Sequence, residues 1–474
     1  MGITRPRWMF TLGVLLAINT MNFYDRQVLG VVAEPVRKEL HLSDAAYGWL
    51  TPAFVVLYAV AGIPLGLWVD FGRRTKILAA GVAVWSLLTA CSGLAWSFWS
   101  LFLMRLGVGI GEATCAPAAN SLLGDLFPRR RRAWAISVFM IGLPLGLGLS
   151  SVISGNIAHL WGWRAAFFVA CLPGLALAVL CLAIPEPARG AAEEQAIGAS
   201  RRQGSPLLAV LKIPTMWWII LTGALHNFNM YAIGAFLAPF LQRYHGLGTA
   251  GAGWISGLVY GCGGVGIFLG GWVCDRVARR RIRGRLEVST LAVAVGVPCF
   301  FLALQQPPRD VWGVTAWLLP ACVLFYLYYP GVYAAIQDIV EPALRGTAMA
   351  VYFFAMYLLA AFGPVITGSV SDYFARQAAV ESNAPVVLPA SGATTVALGA
   401  SPLGAGPLAA VSALKASRIG ETIEGYKATG LRHALYLIPA LGVLLVVALF
   451  IASRTVKKDF LKLQNWMDAR SALS

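Results

Sequence analysis

Four ionisable residues fall inside stretches that are otherwise apolar. Asp25 and Arg26 lie in AINTMNFYDRQVLGVVA (residues 17–33), and Arg105 and Glu112 lie in LFLMRLGVGIGEATCAPAANSLLGDLFP (residues 101–128). About 20 apolar residues at ~1.5 Å per residue cross a bilayer, and both stretches are long enough. A charge at such depth costs ~2.5–3.5 kcal/mol on insertion scales, so its retention points to function. A carboxyl in a dry site favours its protonated form, whereas a nearby guanidinium favours the charged form. An acid that alternates between a watery cavity and a closed one therefore gains and loses a proton. Glu112 is the first choice for that carrier and Asp25 the second. Arg105 and Glu112 lie two turns apart on one helix face. Measured from the outer ends of their spans, Asp25 is roughly 12 Å deep and Arg105 roughly 10 Å. These two are expected to pair, leaving Glu112 deeper without a cation at its level. Arg105 has a rival role as the fixed cation for an anionic substrate, since its planar fork suits carboxylate or phosphate. Arg26 points about 100° away from Asp25 around the helix, and its role stays open. The plainer alternative for all four is a buried ion-pair cluster that only ties helices together.

The chain has 474 residues, 58% hydrophobic and 12% charged, with a mean hydropathy of +0.70. Soluble domains carry roughly 45–50% apolar and ~25% charged residues, so this is a polytopic membrane protein. The net charge of +16 does not indicate nucleic acid. Its basic residues cluster between apolar runs, at Arg73-Arg74, Arg129–Arg132, Arg279–Arg281 and Lys457-Lys458. That is the positive-inside pattern. The eight cysteines sit in or beside apolar runs without metal-like spacing and read as small core residues. The N-terminus could pass for a signal peptide, but its apolar run is too long and contains Asp25-Arg26; it reads as an uncleaved first helix.

Hydropathy places twelve spans near 8–33, 46–69, 75–97, 98–123, 133–157, 163–184, 214–241, 251–275, 287–306, 311–337, 343–373 and 431–453. With the N-terminus inside, about 25 Lys and Arg residues fall on the inner side and about 10 outside, so both termini are expected in the cytoplasm. Residues 185–213 read as a polar cytoplasmic linker. Residues 376–429 read as a long outer loop, because their Gly and Pro density argues against a thirteenth helix. The domains expected are residues 1–184, a six-helix bundle, and residues 214–474, a second bundle carrying that loop. Gly66-Leu-Trp-Val-Asp70 recurs as Gly271-Trp-Val-Cys-Asp275, and DLFPRRRRAWAISVF (125–139) recurs as DIVEPALRGTAMAVY (338–352). The repeat aligns Asp125 with Asp338 and Arg132 with Arg345. Two all-α bundles related by a pseudo-two-fold along the membrane normal match the parallel-repeat plan of secondary transporters.

On these residues the chain resembles the major facilitator superfamily. Gly66-x-x-x-Asp70 with Arg73-Arg74 is similar to its loop motif between spans two and three, although Phe71 replaces a basic residue and Gly72 falls one position early. The second copy, Asp275-Arg276-x-x-Arg279-Arg280, is more complete. The resemblance implies that Gly66, Asp70, Arg73, Arg74, Asp125, Arg132, Asp275, Arg276, Asp338 and Arg345 form latches clamping the halves on the cytoplasmic side. The alternative is a set of ordinary positive-inside anchors. Asn22-Phe-Tyr-Asp25-Arg26, Arg105 through Ala113, GDLF at 124–127 and SVFMIGLPLGLGL at 137–149 resemble spinster-type transporters. That resemblance implies that Asp25, Arg105 and Glu112 line a central cavity, that the acids serve proton-linked transport, and that the substrate is a lysophospholipid or sphingolipid phosphate.

In the second half, span seven offers His226, Asn227 and Tyr231, and span ten offers Tyr326, Tyr329 and Tyr333 on one stripe. These are candidates for a substrate wall, against the plainer reading of helix packing. No P-loop, HExxH or metal-ligand cluster occurs, so no cofactor and no ATP-driven chemistry are expected. The reading is a proton-coupled carrier acting by alternating access, as a monomer, in a bacterial inner membrane. A carrier of small organic anions and a passive lipid-translocating or signalling protein are the rivals. An enzyme is the weakest reading, since no nucleophile and base constellation is visible.

Overall fold

The computed structural model describes residues 5–127, 129–188, 206–341, 344–382 and 424–471. Among these the chain is helical, with no strand. Before the linker come α1 (Arg5–Val31), α2 (Ala33–Glu39), α3 (Asp44–Gly48), α4 (Leu50–Phe71), α5 (Arg74–Ser92), α6 (Phe98–Glu112), α7 (Cys115–Leu126), α8 (Arg129–Met140), α9 (Gly142–Trp161) and α10 (Trp163–Leu182). After it come α11 (Pro206–Leu211), α12 (Pro214–Arg243), α13 (Thr249–Ala278), α14 (Gly284–Gln305), α15 (Val311–Ile339), α16 (Arg345–Ala360), α17 (Gly363–Ser382), α18 (424–435) and α19 (Leu437–Ser471). The first group is called the first half below, the second the second half.

Local chemistry sets the breaks. Ser97 and Ser100 form a reciprocal capping box at the start of α6. Gly162, at φ +82°, turns the chain between α9 and α10. Asp310 caps α15 by accepting from Gly313 N. Two sequence expectations change. The expected loop at 376–429 is shorter, because α17 runs to Ser382 and α18 starts at 424; its remaining part, 383–423, lies outside the described residues. The expected linker likewise contains the helix α11, and its residues 189–205 lie outside the described residues.

Nine helices or joined helices among the described residues are long and apolar enough to cross a membrane. Leu172, Val179, Phe268 and Leu291 are exposed well inside such apolar helices, the surface expected of a multi-pass protein facing hydrocarbon. The helices bearing the deep charges, α1 and α6–α7, are not among the nine, nor is α12. Their polar content lowers their hydropathy at the places where the chain carries its candidate chemistry.

Two apolar cores form. One lies within the first half around Leu15, Leu78, Trp85 and Leu122, with Ala361 its buried member from the second half. The other joins the last turns of α1, with α2, Tyr47 and residues of α6, α9 and α10, to α12–α16, α18 and α19. The halves therefore fuse at one end of the molecule, the end holding α2 and α3. Close approach at the site is set by glycines. A methyl group added at Gly111 would sit 2.8 Å from Trp85 Cβ and 2.9 Å from its backbone N, and one at Gly109 would sit 2.7 Å from the Phe54 carbonyl. The GVGIG run thus lets α4 and α5 press against α6. Gly111→Ala is expected to lower stability by about 1–3 kcal/mol through overpacking. Gly13→Ala, on an exposed turn of α1, is expected to be neutral or stabilising. Thermal unfolding of both variants in detergent measures the contrast.

Candidate functional site

Asn22 and Arg26 lie one turn apart on α1 and both reach Glu112 on α6. Arg26 Nε donates to Glu112 Oε2 at 2.7 Å, and Asn22 Nδ2 donates to the same oxygen at 3.0 Å. Glu112 is 0% exposed. It therefore has the cation that helix arithmetic denied it. The arithmetic compared only rises along two rods and ignored the reach of an arginine side chain. The Arg26 guanidinium also lies 4.6 Å from the Tyr58 ring centroid, 5.0 Å from Phe54 and 5.1 Å from Phe23. Such cation–π contacts replace part of the water that burial removes.

Arg105 behaves differently from the expectation. Its Nη1 donates to the main-chain oxygen of Asp25 at 3.4 Å, and it stacks over Phe54 at 5.3 Å. The expected Asp25–Arg105 carboxylate pair is not made, because Asp25 directs its carboxyl elsewhere. Among the described residues neither carboxyl oxygen of Asp25 has a hydrogen-bond partner, and neither does Arg105 Nε.

A cavity with about 1010 Å³ of empty space, its open mouth included, lies between the halves. Arg26, Arg105 and Gln27 line it from the first half. Tyr231, Tyr260, Tyr326, Tyr329 and Tyr357, with Asn227, line it from the second. Asp25 and Glu112 are not in its lining; the acids stand behind the arginines. Of the aromatic stripe, Tyr326 and Tyr329 face the cavity, with centroids 5.8 Å apart. Tyr333 packs instead against Tyr352 and Phe353. Asn227 Oδ1 accepts from Tyr329 Oη at 3.0 Å, which fixes that phenol at the cavity wall. His226 lies outside the lining, stacked on Tyr328 at 4.1 Å. Asn22, Gln27, Tyr58, Tyr260 and Tyr357 were not singled out from sequence. Only Asn22 carried a signal, its place in the Asn22-x-x-Asp25-Arg26 pattern.

The expected latch residues pair within each half. Arg74, 1% exposed, holds Asp125 and also donates to Glu186 Oε1 at 2.8 Å and Ser121 Oγ at 3.1 Å. Arg285 pairs with Asp338 at 3.1 Å and with Asp275 at 3.3 Å. Arg285 and Glu186 were not foreseen. Arg276 lies 5.9 Å from the Trp272 ring centroid, and Arg345 Nε donates to the Gln337 carbonyl at 3.1 Å. Arg73 precedes α5 as its N-cap residue, and Gly66 sits on α4 with no neighbouring atom crowding it among the described residues. The side chains of Asp70 and Arg132 lie outside the described residues.

Pairs that cross between the halves sit at the opposite end. Arg243 of α12 grips Asp44 with two bonds, 2.8 and 2.9 Å, and Glu34 at 2.6 Å. Arg37 joins Glu34 at 3.0 Å and bonds Glu424 of α18. Asp372 of α17 accepts from the backbone N of Asp44 and Ala45, at 3.1 and 2.9 Å. Lys427 stands 3.9 Å from Asp44 and 3.8 Å from Asp372. In the sequence these charges looked like ordinary loop residues.

Burial pushes the Glu34 carboxyl up, but Arg243 and Arg37 outweigh it and hold the group below its ordinary value of 4.5. Burial likewise opposes, and Arg74 and Thr75 outweigh, at Glu186. A depressed carboxyl stabilises the folded pairing above its ordinary value and loses that contribution as pH falls through the depressed one. Thermal stability is therefore expected to decline below about pH 4.5, and Glu34→Gln is expected to flatten that decline. Removing Arg74, buried against two acids, is expected to cost about 3–5 kcal/mol. Arg285→Gln, at a half-open site, is expected to cost less, and unfolding curves of the two variants decide this.

Residues 15–364 match the Major Facilitator Superfamily. An MFS-type efflux pump of Mycolicibacterium smegmatis is 31% identical over 372 residues, spanning 76% of this chain and 83% of the pump. Protein spinster homolog 3 of Mus musculus is 30% identical over 394 residues, covering 77% and 76%. A probable L-galactonate transporter of Escherichia coli is 26% identical over 365 residues, covering 74% and 80%. The crystal structure of a bacterial homologue of the human lysosomal transporter spinster, inward-facing and occupied, superposes with a TM-score of 0.80 at 27% identity, over 96% of this chain and 99% of that one. The chain is a spinster-like transporter protein and belongs to the Major Facilitator Superfamily.

Proposed function

We propose that the protein is a proton-coupled carrier of an amphiphilic anion, a lysophospholipid or sphingolipid phosphate in class, working by alternating access. The observation that carries this reading is the division of the cavity wall. Two guanidinium groups, Arg26 and Arg105, face it from one half, and a tyrosine wall faces it from the other. An anionic head suits the first and an apolar body the second. Glu112 links substrate to proton. An anion that draws Arg26 away leaves a fully buried carboxylate without its counter-ion, and taking up a proton is then the cheaper state.

In this reading twelve spans form two six-helix bundles, with both termini inside a bacterial inner membrane, and the α2–α3 end faces outward. The Asp44–Arg243 network is then the closed outer gate. The pairs of Arg74 and Arg285 brace each half while the inner side is parted, and the latch residues reach across when it closes. A small organic anion is the second reading, favoured by Arg105 and by the likeness to a probable L-galactonate transporter. Passive lipid translocation is the third.

Reconstitution in liposomes under an imposed pH gradient, with a lysophospholipid and a sugar acid followed in parallel, tests all three. The lipid is expected to accumulate with the gradient. Glu112→Gln is expected to abolish gradient-driven accumulation, at least tenfold, while leaving equilibrative exchange. Gradient-independent lipid flux unchanged by Glu112→Gln would sink the coupling, and flux of the sugar acid alone would sink the lipid reading. Arg243→Gln is expected to open the outer side, seen as faster thiol labelling of a cysteine placed beside Tyr260.

A further inference from the structure

Asp25 does not share the place of the other deep charges. It is 0% exposed, faces away from the cavity, and has no hydrogen-bond partner for either carboxyl oxygen among the described residues. Trp85 on α5 is also 0% exposed, and its indole Nε1 likewise lacks a bond of good geometry. The two groups are in reach of one another. Counted from the α2–α3 end, Asp25 lies roughly 9 Å deep on α1 and Trp85 roughly 10 Å deep on α5. Arg105 on α6 is at roughly 10 Å and Cys171 on α10 at roughly 12 Å. Four helices of the first half therefore bring these side chains to one level, with Arg105 at the cavity wall and Asp25 behind it. The approach of Gly111 to the Trp85 backbone and Cβ fixes where the indole stands.

We propose that Trp85 is a positioning residue for Asp25, its indole N–H holding the carboxylate in the buried interior of the first half. An indole donates and never accepts, so it favours the carboxylate over the acid. Inside an apolar bundle a lone donor and a lone carboxylate each carry a desolvation cost that their pairing removes. The other titratable groups facing Asp25 are Arg105 and Glu112 from α6, Cys171 from α10, and Tyr24 on α1 itself. Tyr24 Oη accepts from Ser154 Oγ at 3.0 Å and is engaged there. Arg105 contacts the main-chain oxygen of Asp25. Trp85 is thus the neutral donor available to the carboxyl, and it adjusts the proton affinity of Asp25 without adding charge. This inference rests on the reading of Asp25 as a second proton carrier.

The test replaces the donor and keeps the shape. Trp85→Phe and Trp85→3-benzothienylalanine, the latter introduced by nonsense suppression, both delete the N–H; the second retains the bicyclic volume. In each, the acid limb of the pH–transport profile is expected to move up by about one to two pH units with KM unchanged, the effect of losing one hydrogen bond to a charged group. Combined with Asp25→Asn, neither change is expected to shift the profile further. An infrared titration of the carboxyl band that Asp25→Asn removes reads the same shift without transport. An unmoved infrared titration in the benzothienylalanine protein would overturn the proposal and leave Trp85 as packing. Wild-type transport indifferent to pH, with the infrared shift intact, would instead remove the coupling reading and uphold the pairing.

Discussion

A guanidinium held inside an apolar bundle must be neutralised, and Arg26 is where this protein meets that demand. Its charge is shared between the Glu112 carboxylate and three aromatic faces, Phe23, Phe54 and Tyr58. Each partner comes from a position the fold must supply. Asn22 stands one turn below on α1 and bonds the same Glu112 oxygen. Phe54 reaches the arginine because Gly109 lets α4 lie against α6. The pair is balanced when left alone and unbalanced once an anion enters the cavity that Arg26 lines. Removing one member of a buried pair is costly, so any event that separates Arg26 from Glu112 must be matched by a proton or by another ion.

Closure at one end of the molecule follows from the same economy of charge. At the α2–α3 end the two halves share an apolar core and a set of ion pairs centred on Asp44, which is 0% exposed and met by Arg243, Lys427 and Ser371. At the other end the hydrogen bonds that Arg74 and Arg285 make are to groups of their own half. The distribution of pairs therefore records which end is joined.

Much of the fold was legible because the bilayer leaves so few options. Long apolar helices, short basic connections and a repeat of half the chain followed from hydropathy and spacing alone. The deep charges were also legible, since any charge in such a stretch is conspicuous. Their pairing was not. Helical rise places Cα atoms along a rod, but it does not say that Arg26 reaches sideways to Glu112 or that Arg105 bonds the main-chain oxygen of Asp25 and not its carboxyl. The network at the α2–α3 end stayed hidden for a different reason. Glu34, Arg37, Asp44 and Lys427 sit in segments where charges are ordinary, and only the approach of α12, α17 and α18 makes them partners. Tyr333 lies off the cavity lining; an aromatic stripe has two sides, and periodicity alone does not say which one meets the cavity.

The two halves repeat at their ends and diverge at their centre. Arg74 with Asp125 in one half and Arg285 with Asp338 in the other perform the same brace on equivalent helices. At the centre, the register that aligns Asp125 with Asp338 sets Glu112 against Phe325, which packs on His226. The second half thus has an aromatic ring where the first has its buried acid, and Leu318 where the first has Arg105. A symmetric pair of scaffolds suits the rocking of two equal bodies, because each must brace itself in the same way. A symmetric centre would suit nothing amphiphilic, since both walls would offer the same chemistry. Holding charge on α1 and α6 and rings on α12 and α15 gives the cavity a polar side and an apolar side. It also leaves the two deep acids, Asp25 and Glu112, buried in one half.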